Sequence, residues 1–326
     1  MRLLITGATG KVGTALIDQI TAKPELGDVR IVALCHNRST PPHPRIEVVH
    51  GSIADPEIIE RAMKDVTHIV HLATVKESAS SVIDVSIKGL FLLLEAARAS
   101  RSLRQLILIG GDAAVGHCFV PYEAPVTELS PRRAYPGVYA FSKVLEEVMV
   151  EQYCVQYGLN GTILRAPWIM EKDDLKYALS FGDDQFGGPA WDTLIPREQQ
   201  VRYASENCVP VLLDATGGPL RRNFIHLCDL VSAIMVALEA SAAFGHLFNI
   251  AMTQPVDYAE LGAMLAAERS MRPVQIATPF FSNALDNAKA RLQLGWKPSF
   301  DLKAMVESAF AYKRAANDPR RVWYAG

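Results

Sequence analysis

Tyr139 and Lys143 stand four residues apart in Tyr139-Ala140-Phe141-Ser142-Lys143, a spacing that puts both side chains on one face of a helix, one turn apart. A tyrosine with a pKa of about 10 is a poor base at neutral pH, and a neighbouring ammonium favours its ionised form. Such a pair can exchange a proton with a substrate hydroxyl, provided that a hydride acceptor lies alongside.

A second motif announces that acceptor. Thr6-Gly7-Ala8-Thr9-Gly10-Lys11-Val12-Gly13 places three glycines at two-residue gaps. Gly7 permits a tight turn, Gly10 lets the backbone approach a pyrophosphate, and Gly13 lets helix and strand pack closely. The helix that follows offers N–H groups and positive dipole, with Thr9, Lys11 and Val12 around its start. An isolated glycine triplet is often only a turn; here a strand precedes it and a helix follows, so a dinucleotide is expected. Where the second strand ends, an Asp or Glu would take the ribose of NAD. The segment instead reads Cys35-His36-Asn37-Arg38, and Arg38, with His36, can face the extra phosphate of NADP through a charge-assisted bond. NADP is therefore favoured over NAD, the alternative being a solvated loop arginine.

Stepping outward, apolar runs at 3–6, 29–34, 46–50, 68–72, 106–109 and 162–164 alternate with helical patterns at 12–21, 56–63, 82–99 and 139–157. That alternation predicts an α/β fold with a doubly wound parallel sheet, covered by helices on both faces. Residues 168–221 change to Gly, Pro, Asp and Trp with weak periodicity, read as loops and short elements. A helix at 230–239, a strand at 247–251 and helical segments at 258–269 and 302–314 complete the pattern. The division expected is a dinucleotide-binding unit of 1–167 and 222–251 with an interleaved substrate cap of 168–221 and 252–318.

Bulk composition excludes several classes. With 49% hydrophobic and 21% charged residues the 326-residue chain is globular. A net charge of −2 without any long Lys/Arg run argues against nucleic-acid binding. The five cysteines are scattered and lack a Cys-x-x-Cys spacing, which reads as reduced thiols of a cytoplasmic protein with no metal site. No apolar stretch approaches the roughly 20 residues that a membrane span needs, and no leader is read at the N-terminus.

The glycine loop and the Tyr139/Lys143 pair, in this order and at this distance, resemble the extended short-chain dehydrogenases of the NAD-dependent epimerase/dehydratase group. Further matches are His71-Leu72-Ala73, Arg165, the run from Arg222 to Asp229, Lys289-Ala290-Arg291 and Gly295-Trp296-Lys297-Pro298. The resemblance implies a Rossmann-like domain, a smaller C-terminal substrate domain, and dimerisation through the helices at 82–99 and 139–157. It implies that Ser52 and Ile53 face the adenine, and that Leu72, Ala73, Thr74, Ala166 and Pro167 line the cofactor with Tyr139 and Lys143. Lys76, Asp112, Trp168 and Arg222 would meet a substrate that is a sugar, sugar acid or nucleotide sugar, and Thr193-Leu194-Ile195-Pro196 resembles a substrate-loop segment. Asp229 and the 295–298 turn read as structural.

Two departures stand out. Gly110-Gly111-Asp112 puts Asp112 where the family has a serine that bonds the substrate oxygen, and Ser86 stands where an asparagine supports the lysine. An ionised Asp112 would repel a forming tyrosinate. It is therefore expected either to be protonated and donating, or turned toward backbone N–H groups, the alternative being a loop Asp that satisfies its own turn. The implied activity is a hydride-transferring oxidoreductase or epimerase with Tyr139 as acid/base and Lys143 orienting the cofactor and tuning Tyr139. The rival is a non-catalytic NADP-binding sensor.

Overall fold

The computed structural model describes residues 1–185, 187 and 189–318. Seven strands form one parallel sheet: β1 (Arg2–Thr6), β2 (Arg30–Cys35), β3 (Ile46–His50), β4 (His68–His71), β5 (Gln105–Gly111), β6 (Gly161–Ala166) and, further along the chain, β11 (Leu247–Asn249). Their spatial order is β11-β6-β5-β4-β1-β2-β3. The order reverses between β1 and β4, and the crevice beyond the carboxyl ends of those two strands is where doubly wound sheets bind ligands. The predicted fold is therefore observed.

The near-continuous apolar strands are buried on both faces, as a parallel sheet requires. One face packs α1 (Lys11–Ala22) and α8 (Leu227–Glu239) over Leu3, Ile5, Ile31, Ala33 and Phe248. The other packs α2 (Pro56–Ala62), α4 (Leu90–Ala99) and α5 (Val138–Tyr157) over Leu4, Val32, Ile69 and Leu106. The helix expected as one piece at 82–99 begins as a short turn α3 (Ala79–Ser81) and a π-helical stretch over Val82–Gly89, and only then becomes α4. Gly89 sits so close to Ile53 that an added Cβ would lie 2.6 Å from its Cγ2.

The segment 168–221 is more ordered than its composition suggested. It holds β7 (Trp168–Met170), α6 (Asp174–Ala178), α7 (Arg197–Ser205), β8 (Cys208–Leu213) and the start of β9 (Arg221–Arg222). β8 pairs over six residues with β13 (Arg272–Ala277), a strand the sequence reading did not foresee. Between them in the chain come β10 (Phe224–His226), β12 (Val256–Asp257) and α9 (Tyr258–Arg269), and after them α10 (Ala288–Gln293) and α11 (Leu302–Ala311). These elements enclose a separate apolar cluster that includes Trp191, Val209, Leu261, Val274 and Val306. Asp229, read as an anchor, accepts from the Ser299 and Phe300 N–H groups at 2.9 and 3.0 Å, tying α8 to the chain that leads into α11. Among the described residues no helix is long and apolar enough to cross a membrane.

Candidate active site

The glycine loop follows β1 and is shaped by contacts that only glycine permits. Gly7 has φ +64°, and a Cβ there would meet Ala73 N at 2.8 Å; one on Gly13 would meet Gly7 O at 2.5 Å. No side chain caps α1, whose N-cap is Gly10, so its first-turn N–H groups face the crevice without a built-in acceptor. A dinucleotide diphosphate fits this cradle in shape and charge. Thr6 is opposite Leu34, and Cys35 opposite His50, in the parallel register. Hence His36 and Arg38, both exposed, emerge at the crevice end of the sheet, as does Ser52. Ile53 instead buries its side chain in the core.

Thr6 also organises the strand beside it. Its hydroxyl accepts from the Leu72 and Ala73 N–H groups at 3.1 and 3.2 Å, so its single proton goes to His71 Nδ1 at 2.8 Å. His71 therefore carries its own proton on Nε2. Burial, helped by the charge of Lys143, holds this ring down to about 3.

Beyond the crevice lies a cavity of about 410 Å³. Its wall brings together Lys11, Val12, Thr74, Lys76, Asp112, Tyr139, Ala166, Pro167, Trp168 and Arg222 from separate parts of the chain. Tyr139 stands in the first turn of α5, and its hydroxyl lies 3.6 Å from where a Cβ on Gly111 would be. Lys143, one turn on, is buried, with its Nζ 5.6 Å from the Tyr139 ring centroid. That ammonium donates at 2.6 Å to Glu146, itself fully buried; burial pushes the Glu146 carboxyl up and Lys143 opposes the push. The Ser86 hydroxyl also favours the carboxylate, yet Ser86 Oγ and Glu146 Oε1 do not meet with hydrogen-bond geometry and are both buried without a partner among the described residues. Lys76 places its Nζ 4.7 Å over the Tyr139 ring. Surrounding protein atoms, then Lys143, bring its ammonium down to about 8, but the side chain opens to the cavity's solvent, so the effect is screened. Lys11 turns toward β7 and α6, donating to Asp174 at 2.5 Å and to the Ile169 carbonyl at 3.3 Å.

Asp112 has a partner that the sequence reading did not foresee, in the same turn: its Oδ2 lies 2.5 Å from His117 Nδ1. On the far side of that ring, Arg222 Nε and Nη2 converge on Nε2 at 3.0 and 2.7 Å, and the guanidinium stacks 4.1 Å from the Trp168 ring centroid. Burial disfavours a charged ring, while the charge of Asp112 and its hydrogen bond favour one and would put the imidazole at about 9. The contact with Arg222 decides otherwise. An arginine has no acceptor, so Nε2 must offer a lone pair, and the ring is neutral with its proton on Nδ1. Sequence reading missed His117, Tyr135, Phe119 and Phe280, which line the cavity, and Glu146. The only signals available were the Gly116-His117 pair five residues after Asp112 and an acid three residues after Lys143.

The family model that matches residues 3–170 is described as "NAD dependent epimerase/dehydratase family". A UDP-glucose 4-epimerase of Streptococcus mutans is 25% identical over 339 residues, covering 96% of each chain. In fold, the chain is similar to a short-chain dehydrogenase/reductase superfamily protein from Agrobacterium tumefaciens with bound NAD, at TM-score 0.78 and 21% identity over 95% of this chain and 96% of that one. It is also similar to UDP-glucuronic acid 4-epimerase from Bacillus cereus, at TM-score 0.71 and 18% identity over 96% and 98%.

Proposed function

Because the chain belongs to the NAD dependent epimerase/dehydratase family, we propose that it is a dinucleotide-dependent enzyme that moves a hydride to or from a carbohydrate, with Tyr139 transferring the proton. The observation that carries this reading is a cavity whose wall joins Val12, beside the glycine loop, to Tyr139 and Asp112. When bound, the dinucleotide supplies the carbon that exchanges hydride. Tyr139 takes the proton from a substrate hydroxyl, or returns it to a carbonyl oxygen, and Asp112 accepts a hydrogen bond from a neighbouring hydroxyl of the sugar. Lys143, fixed by Glu146, orients the cofactor ribose, while Lys76 and Trp168 border the sugar. Sugars, sugar acids and nucleotide sugars all fit the class. The epimerase relatives favour return of the hydride within one turnover over its release.

Tyr139→Phe should leave dinucleotide binding unchanged and lower turnover by about 10² to 10⁴, the range for a lost general acid/base. Product formation from a panel of sugars, sugar acids and nucleotide sugars, followed by chromatography alongside the absorbance of the reduced nicotinamide, checks it; equal turnover by parent and variant removes Tyr139 from the chemistry.

NADP is the cofactor we favour, since no carboxylate follows β2 and Arg38 is exposed there. Competitive titration should show NADP binding roughly tenfold tighter than NAD, with the difference abolished in Arg38→Ala. Tighter binding of NAD would refute this. The cap division at 168–221 and 252–318 is supported by the apolar cluster, whose buried members fall in those ranges except Phe224. Exposed Phe91 and Phe141, on the two helices implied in dimerisation, support a homodimer, and the scattered unpaired cysteines support a cytoplasmic setting.

A further inference from the structure

The wall opposite the cofactor loop is built differently from a wall that offers a hydroxyl to the substrate and an arginine to a diphosphate. Asp112 opens the short turn that follows β5, and His117 closes it: the His117 N–H donates back to the Asp112 carbonyl at 3.0 Å. His117 itself is held at φ +48°, in the left-handed region, where a residue with a Cβ pays a conformational penalty. Such strain persists only where the surroundings enforce it, and it collects at functional sites. The surroundings here come from the cap. Asn283 donates to the His117 carbonyl and is itself bonded by Asn223 at 2.6 Å, while Arg222 reaches the ring from β9. Thus an unfavourable backbone geometry, three side chains in line and a second layer of amides all serve to fix one imidazole against one carboxylate.

Resting on the hydride-transfer reading above, we propose that Asp112, His117 and Arg222 act as one unit: Arg222 holds His117 as the neutral Nδ1–H tautomer, His117 aims the Asp112 carboxylate at a substrate hydroxyl beside the reacting one, and Arg222 is a positioning residue, not an anchor for a substrate diphosphate. Both donors on one edge of the guanidinium point at Nε2, and its face is covered by Trp168. A diphosphate would have to compete with the imidazole for that edge. The negative charge of Asp112 is balanced through the ring by the guanidinium, which removes the repulsion a lone carboxylate would exert on an ionising Tyr139. A carboxylate in this place accepts hydrogen bonds and does not donate them, so the wall selects a substrate that presents a hydroxyl there.

The charged and titratable groups that act on His117 are Asp112, Arg222 and Cys118, and Tyr258 acts on Arg222 from α9. The test is nitrogen NMR of the histidine rings in the full chain, with His117 assigned by its disappearance in His117→Asn. The parent should show a neutral Nδ1–H ring at neutral pH. Arg222→Gln, which leaves Asp112 unopposed, should raise the protonation midpoint by about one pH unit or more, and Arg222→Lys should bring it part of the way back. An imidazolium or an Nε2–H ring in the parent, or a midpoint indifferent to residue 222, overturns the proposal. In a second arm, uridine diphosphate is titrated into parent and Arg222→Gln. Equal binding, including none in either, agrees with the proposal, and a roughly tenfold or greater loss in the variant overturns it. Neither arm needs turnover. Failure of the hydride-transfer reading shows in Tyr139→Phe, and failure of this inference shows in the imidazole.

Discussion

His71 carries a pH dependence that belongs to a single residue. The ring is 1% exposed and is held neutral, at about 3, chiefly by burial and secondarily by Lys143. In the unfolded chain the same imidazole titrates at its ordinary 6.5. As pH falls below that value the unfolded state takes up a proton that the native state refuses. The stabilisation is complete above 6.5 and is lost progressively toward 3. At pH 5 the loss from this group is about 2 kcal/mol. Urea unfolding at pH 7 and pH 5 should show a decline of at least that size in the parent, and a decline smaller by about 2 kcal/mol in His71→Gln. Identical declines would mean that the ring is charged, or solvated, in the native protein. Residues of this kind are illegible in sequence. His71 was visible only as the end of a strand, and its tautomer depends on Thr6, whose hydroxyl is already engaged by two amides 66 and 67 residues away.

Elements were legible wherever burial and period agreed. The run at 106–109 is apolar because the sheet is covered on both sides there, and it appears as β5, extended to Gln105–Gly111; the run at 46–50 appears as β3, the edge strand, with Glu47 and His50 exposed. The glycine loop was legible because two of its glycines answer a backbone approach of under 3 Å, Gly7 with a positive φ as well and Gly13 without. β8 and β13 were not. Cys208–Leu213 is interrupted by Pro210, and Arg272–Ala277 alternates buried Val274 and Ile276 with exposed neighbours over too few residues to stand out. Each is stabilised by the other across some sixty positions of chain, a pairing that no local pattern records. The π-helical stretch at Val82–Gly89 was unreadable for a similar reason: its apolar periodicity is that of an ordinary helix, and the departure lies in backbone hydrogen bonding. Of the site, Tyr139 and Lys143 were legible by type and spacing, and Asp112 only through the family resemblance. Glu146 and His117 became meaningful only once their partners were in place, 2.6 Å from Lys143 and 2.5 Å from Asp112.

At the scale of the molecule, one apolar cluster lies on each face of the sheet and a third gathers residues of 170–224 and 252–309, and polar side chains tie the last to the sheet. Arg222 and Asn283 clamp the turn after β5 from one side. Lys11 reaches α6 from the other, through a contact with Asp174 in which both side chains are at most 10% exposed. That contact has a consequence for time rather than for affinity. Were a dinucleotide's diphosphate to lie on the glycine loop beneath this contact, which joins the loop to α6, the contact would have to part for it to leave or enter. The residence time of the cofactor should therefore exceed what its equilibrium binding alone would suggest, which suits a reaction that stores a hydride briefly and gives it back. Removing both charges at once, in Lys11→Met/Asp174→Leu, avoids stranding either one. Stopped-flow displacement of the bound cofactor should then show release and capture both faster, release by roughly tenfold, the equivalent of about 1.4 kcal/mol of barrier. Release at the parental rate would mean that the contact opens faster than the cofactor departs, and that the clock of this enzyme is set elsewhere.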